Sequence, residues 1–357
     1  MKRNDFDYKI KKTPVLLKPY FFIKPSYSAV SIRILIMLLI QMLLLLFTKS
    51  YSALIVILSS VAGGLCAYGL NYINKRFQLF TLIPLITQGI FIGMLLPQTF
   101  PPLVVFLLSF LVLSIERIIF DNKAQSWVNI ICVTVILASF IGSTYFPGFQ
   151  VTRDILSIKN PSVLLIKSGA FPVYDFDAPI CNILNSTVLY WFKVTLPEGV
   201  ISLLWDSQSI IPAFRFTFLT LISSIFLFAD NGYSLTIPTI FVVVFGLLVR
   251  FLLPVMVHGP LAQGDLLLAF CTSGTVFFAV FIIQWCGTCP VTKIGKVIYG
   301  FASGVIAFFI MGCGTSSVGM CYAVLICNVL NLLIRVIEEK QDEIKVNKLV
   351  SSTVQSK

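Results

Sequence analysis

Residues 29–48 read AVSIRILIMLLIQMLLLLFT, a run whose one charge is Arg33. A helix that crosses the hydrocarbon core of a bilayer needs about 20 mostly apolar residues, each adding about 1.5 Å. This run has that length. Comparable runs recur at 52–73, 78–96, 101–119, 128–146, 213–229, 234–253, 265–284, 295–312 and 317–335. In lipid every backbone polar group must be satisfied within the protein, which leaves helices or closed barrels. Unbroken apolar runs, without the strict alternation of strands, select helices. The pattern predicts an all-α integral membrane protein of ten transmembrane helices.

Composition agrees. Of 357 residues, 57% are hydrophobic and 11% charged, and the mean hydropathy is +0.95. Soluble domains carry about 25% charged residues, so this chain could not cover a water-facing surface in the ordinary way. The first 28 residues are polar and basic, and the first apolar run is long enough to span, so no cleaved signal peptide is expected.

A net charge of +11 invites a nucleic-acid reading, but the placement of the charges argues against it. Lys2, Arg3, Lys9, Lys11, Lys12, Lys18 and Lys24 precede the first run, and Lys75 with Arg76 lie between the second and third. Arg117 and Lys123 follow the fourth, and Lys293 and Lys296 follow the eighth. Loops rich in Lys and Arg alternate with loops poor in them, as the positive-inside rule requires. Both termini are expected in the cytoplasm, the basic N-terminus faces lipid headgroups, and no nucleic-acid partner is expected.

Five units follow: a basic N-terminus (1–28), a first five-helix half (29–146), an extracytoplasmic segment (147–212), a second five-helix half (213–335) and a cytoplasmic tail (336–357). Pro161, Pro172, Pro179 and Pro197 would interrupt any long helix in the third unit. The tail mixes acids and bases and is expected to be disordered after Lys348. Five spans per half is an odd number, so the halves insert in opposite directions. Gly89 to Gly93, leading through Pro97 to Pro101-Pro102, is loosely matched by Ser273 to Phe277, leading to Pro290. Such Gly/Pro-interrupted repeats either frame a site near the midplane or simply allow close helix packing; the sequence leaves both open.

Ionisable residues within spans are costly and therefore informative. Arg33, Arg117, Arg215 and Arg250 lie near span ends, where their heads can snorkel to the interface. Glu116 beside Arg117 reads as an ion pair. His258 is a lone loop histidine, and no Ser/His/Asp or metal-ligand arrangement stands out. Cys66, Cys132, Cys271, Cys321 and Cys327 fall inside spans and behave as small hydrophobes. Cys286 and Cys289 form a C-x-x-C whose spacing suits redox or metal chemistry, without neighbouring partners.

Phe270-Cys271-Thr272-Ser273-Gly274-Thr275-Val276-Phe277, followed by Thr288-Cys289-Pro290-Val291-Thr292 and by Gly319 to Asn328, resembles the RnfD/NqrB membrane subunits of Rnf and of the sodium-translocating NADH:quinone oxidoreductase. Gly93 to Pro102 and Phe120 to Asn129 are similar to that family's first half. The resemblance implies ten spans, a place in the inner (cytoplasmic) membrane, and partner membrane and redox subunits in an ion-coupled electron-transport complex. Those partners supply NADH and iron–sulfur sites, for which this chain has no fingerprint. It further implies FMN attached as a phosphoester to the threonine of an S/T-G-A-T motif.

Here that motif reads Ser168-Gly169-Ala170-Phe171, with Leu165 where the family has aspartate, and Trp285-Cys286 replaces an Asp-Pro. Phenylalanine has no hydroxyl to esterify. Three readings remain: FMN bound without a covalent link, with Gly169 close to phosphate and Phe171 stacking; flavin on Ser168; or a flavin-free scaffold or ion path. Cofactor candidates are therefore Ser168, Gly169, Ala170, Phe171, Gly274 and Thr275. Gly93, Thr99, Gln125, Asn129, Thr288 and Asn328 are candidates for an ion path or a helix interface. The rival class is a small-solute transporter or channel of inverted-repeat type.

Overall fold

The protein is described here by a computed structural model covering residues 26–73, 82–119, 127–147, 153–158, 160–193, 195–229, 233–311 and 316–355. The first half comprises α1 (Tyr27–Phe47), α2 (Tyr51–Ile73), α3 (Leu82–Leu95), α4 (Pro102–Ile119) and α5 (Ile130–Ile141). Local chemistry sets their starts. The Ser26 hydroxyl accepts from Ala29 N at 3.3 Å, Pro102 opens α4 where its missing N–H costs nothing, and the Asn129 side chain accepts from Ile131 N at 3.2 Å.

Between the halves lie a single helical turn (Arg153–Leu156) and three longer helices, α6 (Pro161–Lys167), α7 (Asp177–Thr187) and α8 (Val200–Trp205). The second half holds α9 (Thr217–Ala229), α10 (Thr236–Met256), α11 (Leu266–Cys271), α12 (Thr275–Phe277, continued by a π turn over Phe278–Ile282), α13 (Lys293–Met311) and α14 (Gly319–Gln355). α1, α2, α10, α13 and α14 are each long and apolar enough to cross a bilayer, and α3, α4, α5 and α9 are shorter apolar helices. The remaining pass, α11 with α12, is broken. This is an all-α membrane fold.

Exposure runs opposite to that of a soluble protein. Leu103, Leu107, Leu111, Ile115 and Ile118 recur at three- and four-residue steps on α4, and each is 48–81% exposed. A stripe of that size facing water would be an aggregation site; facing lipid it costs nothing. The polar residues turn inward, with Ser60 of α2 bonding Ser109 of α4 at 3.0 Å.

The halves repeat one packing scheme. α2 lies against α3 and α4, as α10 lies against the α12 π turn and α13. Across the midline each outer element meets its own counterpart, α1 with α9 and α5 with α14. That pairing is what a pseudo-two-fold relation between inverted halves demands.

Three expectations are corrected. The span predicted as continuous over 265–284 is interrupted at 272–274. The last helix runs to Gln355, past the point at Lys348 where disorder was expected. Arg215 does not snorkel. It is buried, and its Nε and Nη2 donate to Asp206 Oδ1 and Oδ2 at 2.9 and 2.5 Å. Glu116 accepts from Gln88 Nε2 at 3.2 Å; the Arg117 side chain lies outside the described residues.

The segment between the halves is organised by Asp177, which is fully buried. Its Oδ1 accepts from Gly199 N at 2.6 Å, and its Oδ2 accepts from Ser202 N and Oγ, both at 2.6 Å. The Cys181 thiol donates to Oδ1 at 3.3 Å. Burial opposes the charge, but these four donors win and hold the carboxyl below its usual range. Burial and the same carboxylate push the Cys181 thiol up to about 11. Because the native pKa of Asp177 is the lower one, the unfolded segment binds the proton more readily. Its contribution is complete above the ordinary carboxylate value of about 3.9 and is lost as pH falls below it. Corrected for the intrinsic amide rate, hydrogen-exchange protection of residues 177–206 should therefore be unchanged between neutral pH and pH of about 5 and fall only in stronger acid, while Asp177→Asn should lower protection wherever the wild-type carboxylate is charged.

Candidate functional site

Among the described residues the broken span is deeply enclosed. From Leu268 to Trp285 every described residue is buried except Phe270, which is half-buried, and the Cys286 side chain that follows is not described. Non-helical backbone at membrane depth is tolerated only where protein or a cavity covers it. Here side chains do the covering. Thr272 Oγ1 donates to Leu268 O at 2.6 Å, Ser273 Oγ bonds Ala269 O, and the Ser273 and Thr275 hydroxyls lie 2.6 Å apart. Thr275 Oγ1 also donates to Ala269 O at 3.3 Å, and Thr217 Oγ1 donates to Cys271 O at 3.5 Å. Gly274 makes the turn possible at φ +67°, and a Cβ there would come within 2.1 Å of the Phe214 ring.

The start of this span is tied to the segment between the halves. Asp265 Oδ1 caps α11 by accepting from Leu268 N at 3.1 Å, while Oδ2 accepts from Ser162 N of α6 at 2.8 Å. Its far end is tied to the first half. Asn129 Nδ2 donates to Ile282 O at 3.1 Å. With the Asn328 amide oriented to satisfy both its ends, its oxygen accepts from Asn129 N at 2.8 Å and its nitrogen donates to Val324 O at 3.3 Å. Asn129 and Asn328, one from each half, thus meet over the end of the broken span.

Between these two points the halves touch through rings. Phe91 of α3 has its ring centroid 5.9, 5.8 and 5.1 Å from those of Phe277, Phe281 and Trp285, three residues at helical spacing. Gly89 and Gly93 let α3 press onto α2: a Cβ on either would lie 2.9 Å from the Val61 Cα or 2.5 Å from the Ile57 Cα. Gly93 is thus a packing residue on the α2–α3 contact.

Residues 168–171 form a different object, the C-terminal cap of α6. Gly169 has φ +78°. Gly169 N donates to Ile166 O and Ala170 N to Leu165 O, both at 3.0 Å. This is the Schellman pair of bonds that ends a helix through a left-handed glycine. Ser168, Gly169 and Ala170 are exposed, the Ser168 hydroxyl donates to Leu165 O at 2.9 Å, and Phe171 turns into the core at 5% exposure. Position 171 lacks the hydroxyl that a phosphoester link would need. It carries a buried ring instead, and the space beside Gly169 is open, with no protein atom within 4 Å of a Cβ there. α6 packs on α11.

A family description covering NQR2, RnfD and RnfE matches residues 15–342. The chain belongs to that family. Membership makes it a membrane subunit of the Rnf/Nqr type, consistent with the two pseudo-symmetric halves. Comparison with individual curated proteins returned no match.

Of the residues that the family resemblance singled out, Gly274, Thr275, Asn129 and Asn328 lie on the broken span and its anchor. Thr288 is buried in the following loop, donating to Trp285 O at 2.8 Å. Thr99 is exposed in the turn after α3 and bonds Tyr145 O at 3.4 Å. Gln125 lies outside the described residues. Cys289 Sγ contacts Gln284 O at 3.8 Å, and no cluster of three metal-ligating side chains occurs among the described residues.

Ser273, Asp265 and Glu338 were not among the candidate site residues read from the sequence. The last accepts from Val291 N and Thr292 N at 3.1 and 3.0 Å and fastens the start of α13. A carboxylate three residues beyond Arg335 on the same helix face was the available signal.

Proposed function

We propose that this chain is the membrane subunit of an ion-coupled electron-transport complex of the Rnf/Nqr type that carries no covalent flavin at residues 168–171. Partner subunits provide the electron-donor site, and this chain provides the transmembrane frame and a polar passage along the broken span. The observation that carries the flavin part is the state of position 171: a buried phenylalanine following a closed helix cap. A phosphoester needs an accessible hydroxyl, and the nearest one, on Ser168, is engaged with a helix carbonyl. Thr275, Asn129 and Asn328 are the polar residues best placed to line the passage, because they bracket the span that is discontinuous among the described residues. Broken helices buried at membrane depth are the usual setting for such sites.

Denaturing electrophoresis under ultraviolet light tests the flavin part. No fluorescence is expected at the 39.7 kDa band. The pair Leu165→Asp with Phe171→Thr, expressed with a flavin transferase, is also expected to stay dark. Both positions are at most 8% exposed, so the exchange removes a core ring at a cost of about 3–5 kcal/mol and buries a carboxylate without disclosing an attachment site. A fluorescent wild-type band would reject the reading, and a fluorescent double variant would show that the family's pocket survives behind Phe171.

A further inference from the structure

α13 and α14 form an antiparallel pair whose register is fixed at both ends. At one end Glu338 Oε1 accepts from Thr292 N at 3.0 Å and from the Thr292 hydroxyl at 2.5 Å. At the other, a Cβ on Gly319 would stand 3.2 Å from the Met311 Cα. Thr292 to Met311 and Gly319 to Glu338 are equally long stretches of chain. Tyr299, seven positions past Thr292, therefore stands level with Asn331, seven before Glu338. Both side chains are 0% exposed. Tyr299 Oη, Asn331 Oδ1 and Asn331 Nδ2 all lack a hydrogen-bond partner.

Three orphaned polar atoms at one level of two packed helices inside a membrane bundle need an explanation, since buried polar groups are almost always paired with protein or with water. One turn away, level with each other, Ser303 and Cys327 border a cavity of about 10 Å³ that is otherwise lined by apolar side chains, so the helices leave room of about one water's size next to this level. A further unpaired donor, Arg335 Nε, lies one turn along α14. On α14, Asn328, Asn331, Arg335 and Glu338 recur at three- and four-residue steps and so form one polar row. The row runs from the loop held by Glu338 to the junction with Asn129.

The chemistry of the orphans selects the ligand. Asn331 offers one acceptor and a donor group, and the Tyr299 hydroxyl is both. A bare cation would leave the amide N–H unserved and facing like charge, while an anion would face Oδ1. Water, donor and acceptor at once, satisfies all three. We propose that Tyr299 and Asn331 enclose a bound-water site that hydrates the polar row of α14 between the Glu338–Thr292 contact and the Asn328–Asn129 junction. The site rests on burial and register alone and stands whether or not the redox reading does.

X-ray hydroxyl-radical labelling of the full chain in detergent, read residue by residue by mass spectrometry, tests it. Radicals born from bound water mark the side chains that touch it. Tyr299 should be oxidised about tenfold faster than Phe308, a ring on the same helix that is 1% exposed. In Asn331→Leu, which removes one wall of the site, the Tyr299 rate should fall severalfold with Phe308 unchanged. Equal rates at Tyr299 and Phe308 in the wild type would overturn the proposal, as would an unaltered Tyr299 rate in a folded Asn331→Leu chain. If that variant does not fold, the wild-type ratio decides alone.

Discussion

Arg215→Leu is expected to destabilise the protein by about 3–5 kcal/mol, because it leaves the Asp206 carboxylate charged, buried and without its partner. The pair is closed to solvent, with the two side chains 8% and 1% exposed. Arg215 does more than neutralise: Nη1 donates to Ser50 Oγ at 2.5 Å, joining the turn between α1 and α2 to the start of the second half. Asp206 also accepts from Gln208 N at 2.9 Å. The effect is read as a loss of thermal midpoint in detergent. Changing both residues, as Arg215→Leu with Asp206→Leu, should recover most of it, since the penalty comes from the stranded charge and the attraction itself adds little net stability. If the double variant were as unstable as the single, the loss would lie in packing or in the Ser50 contact.

Gly274→Ala should cost roughly 2–5 kcal/mol, from two sources. A left-handed backbone costs an alanine about 1–2 kcal/mol. The new methyl would also lie 2.1 Å from two carbons of the Phe214 ring, and overpacking of that kind costs about 1–3 kcal/mol. Gly169→Ala separates the two contributions. It shares the positive φ but meets nothing within 4 Å, so it should lose only the backbone share. Adding Phe214→Leu to Gly274→Ala should restore the steric share and leave the strain. Equal losses at Gly169 and Gly274 would mean that the Phe214 contact contributes nothing. Since Gly274 sets the break in the span that joins the two halves, the variant should also impair assembly of the complex.

What could be read from the chain followed what the bilayer imposes. Spans announced themselves because each must be apolar over its length, and the pseudo-symmetry followed from an odd number per half. The break at Thr272–Gly274 was hidden for the same reason: Cys271, Thr272 and Ser273 are small enough not to lower the apolar average, and their role as caps depends on carbonyls one turn away. The Asp206–Arg215 pair was invisible because a turn, and no helix periodicity, brings it together. Asp177 appeared as one acid in a polar stretch, and only Gly199 and Ser202 folding back over it show its place. At residues 168–171 the motif reading and the local reading diverged. A serine and glycine after an apolar turn is a helix-stop signal, and that is how the structure uses them. Asn328, Asn331, Arg335 and Glu338 were legible as a stripe in principle, but the level of Tyr299 could be assigned only from the hairpin register.

The central claim is that this chain serves as a redox-complex membrane subunit without a covalent flavin, and native mass spectrometry of the complex isolated through a tag on this chain tests it most directly. The account predicts stoichiometric redox subunits and, on dissociation, this chain at its unmodified 39.7 kDa. A chain heavier by one FMN, or one that is released alone with no redox partner, would contradict it.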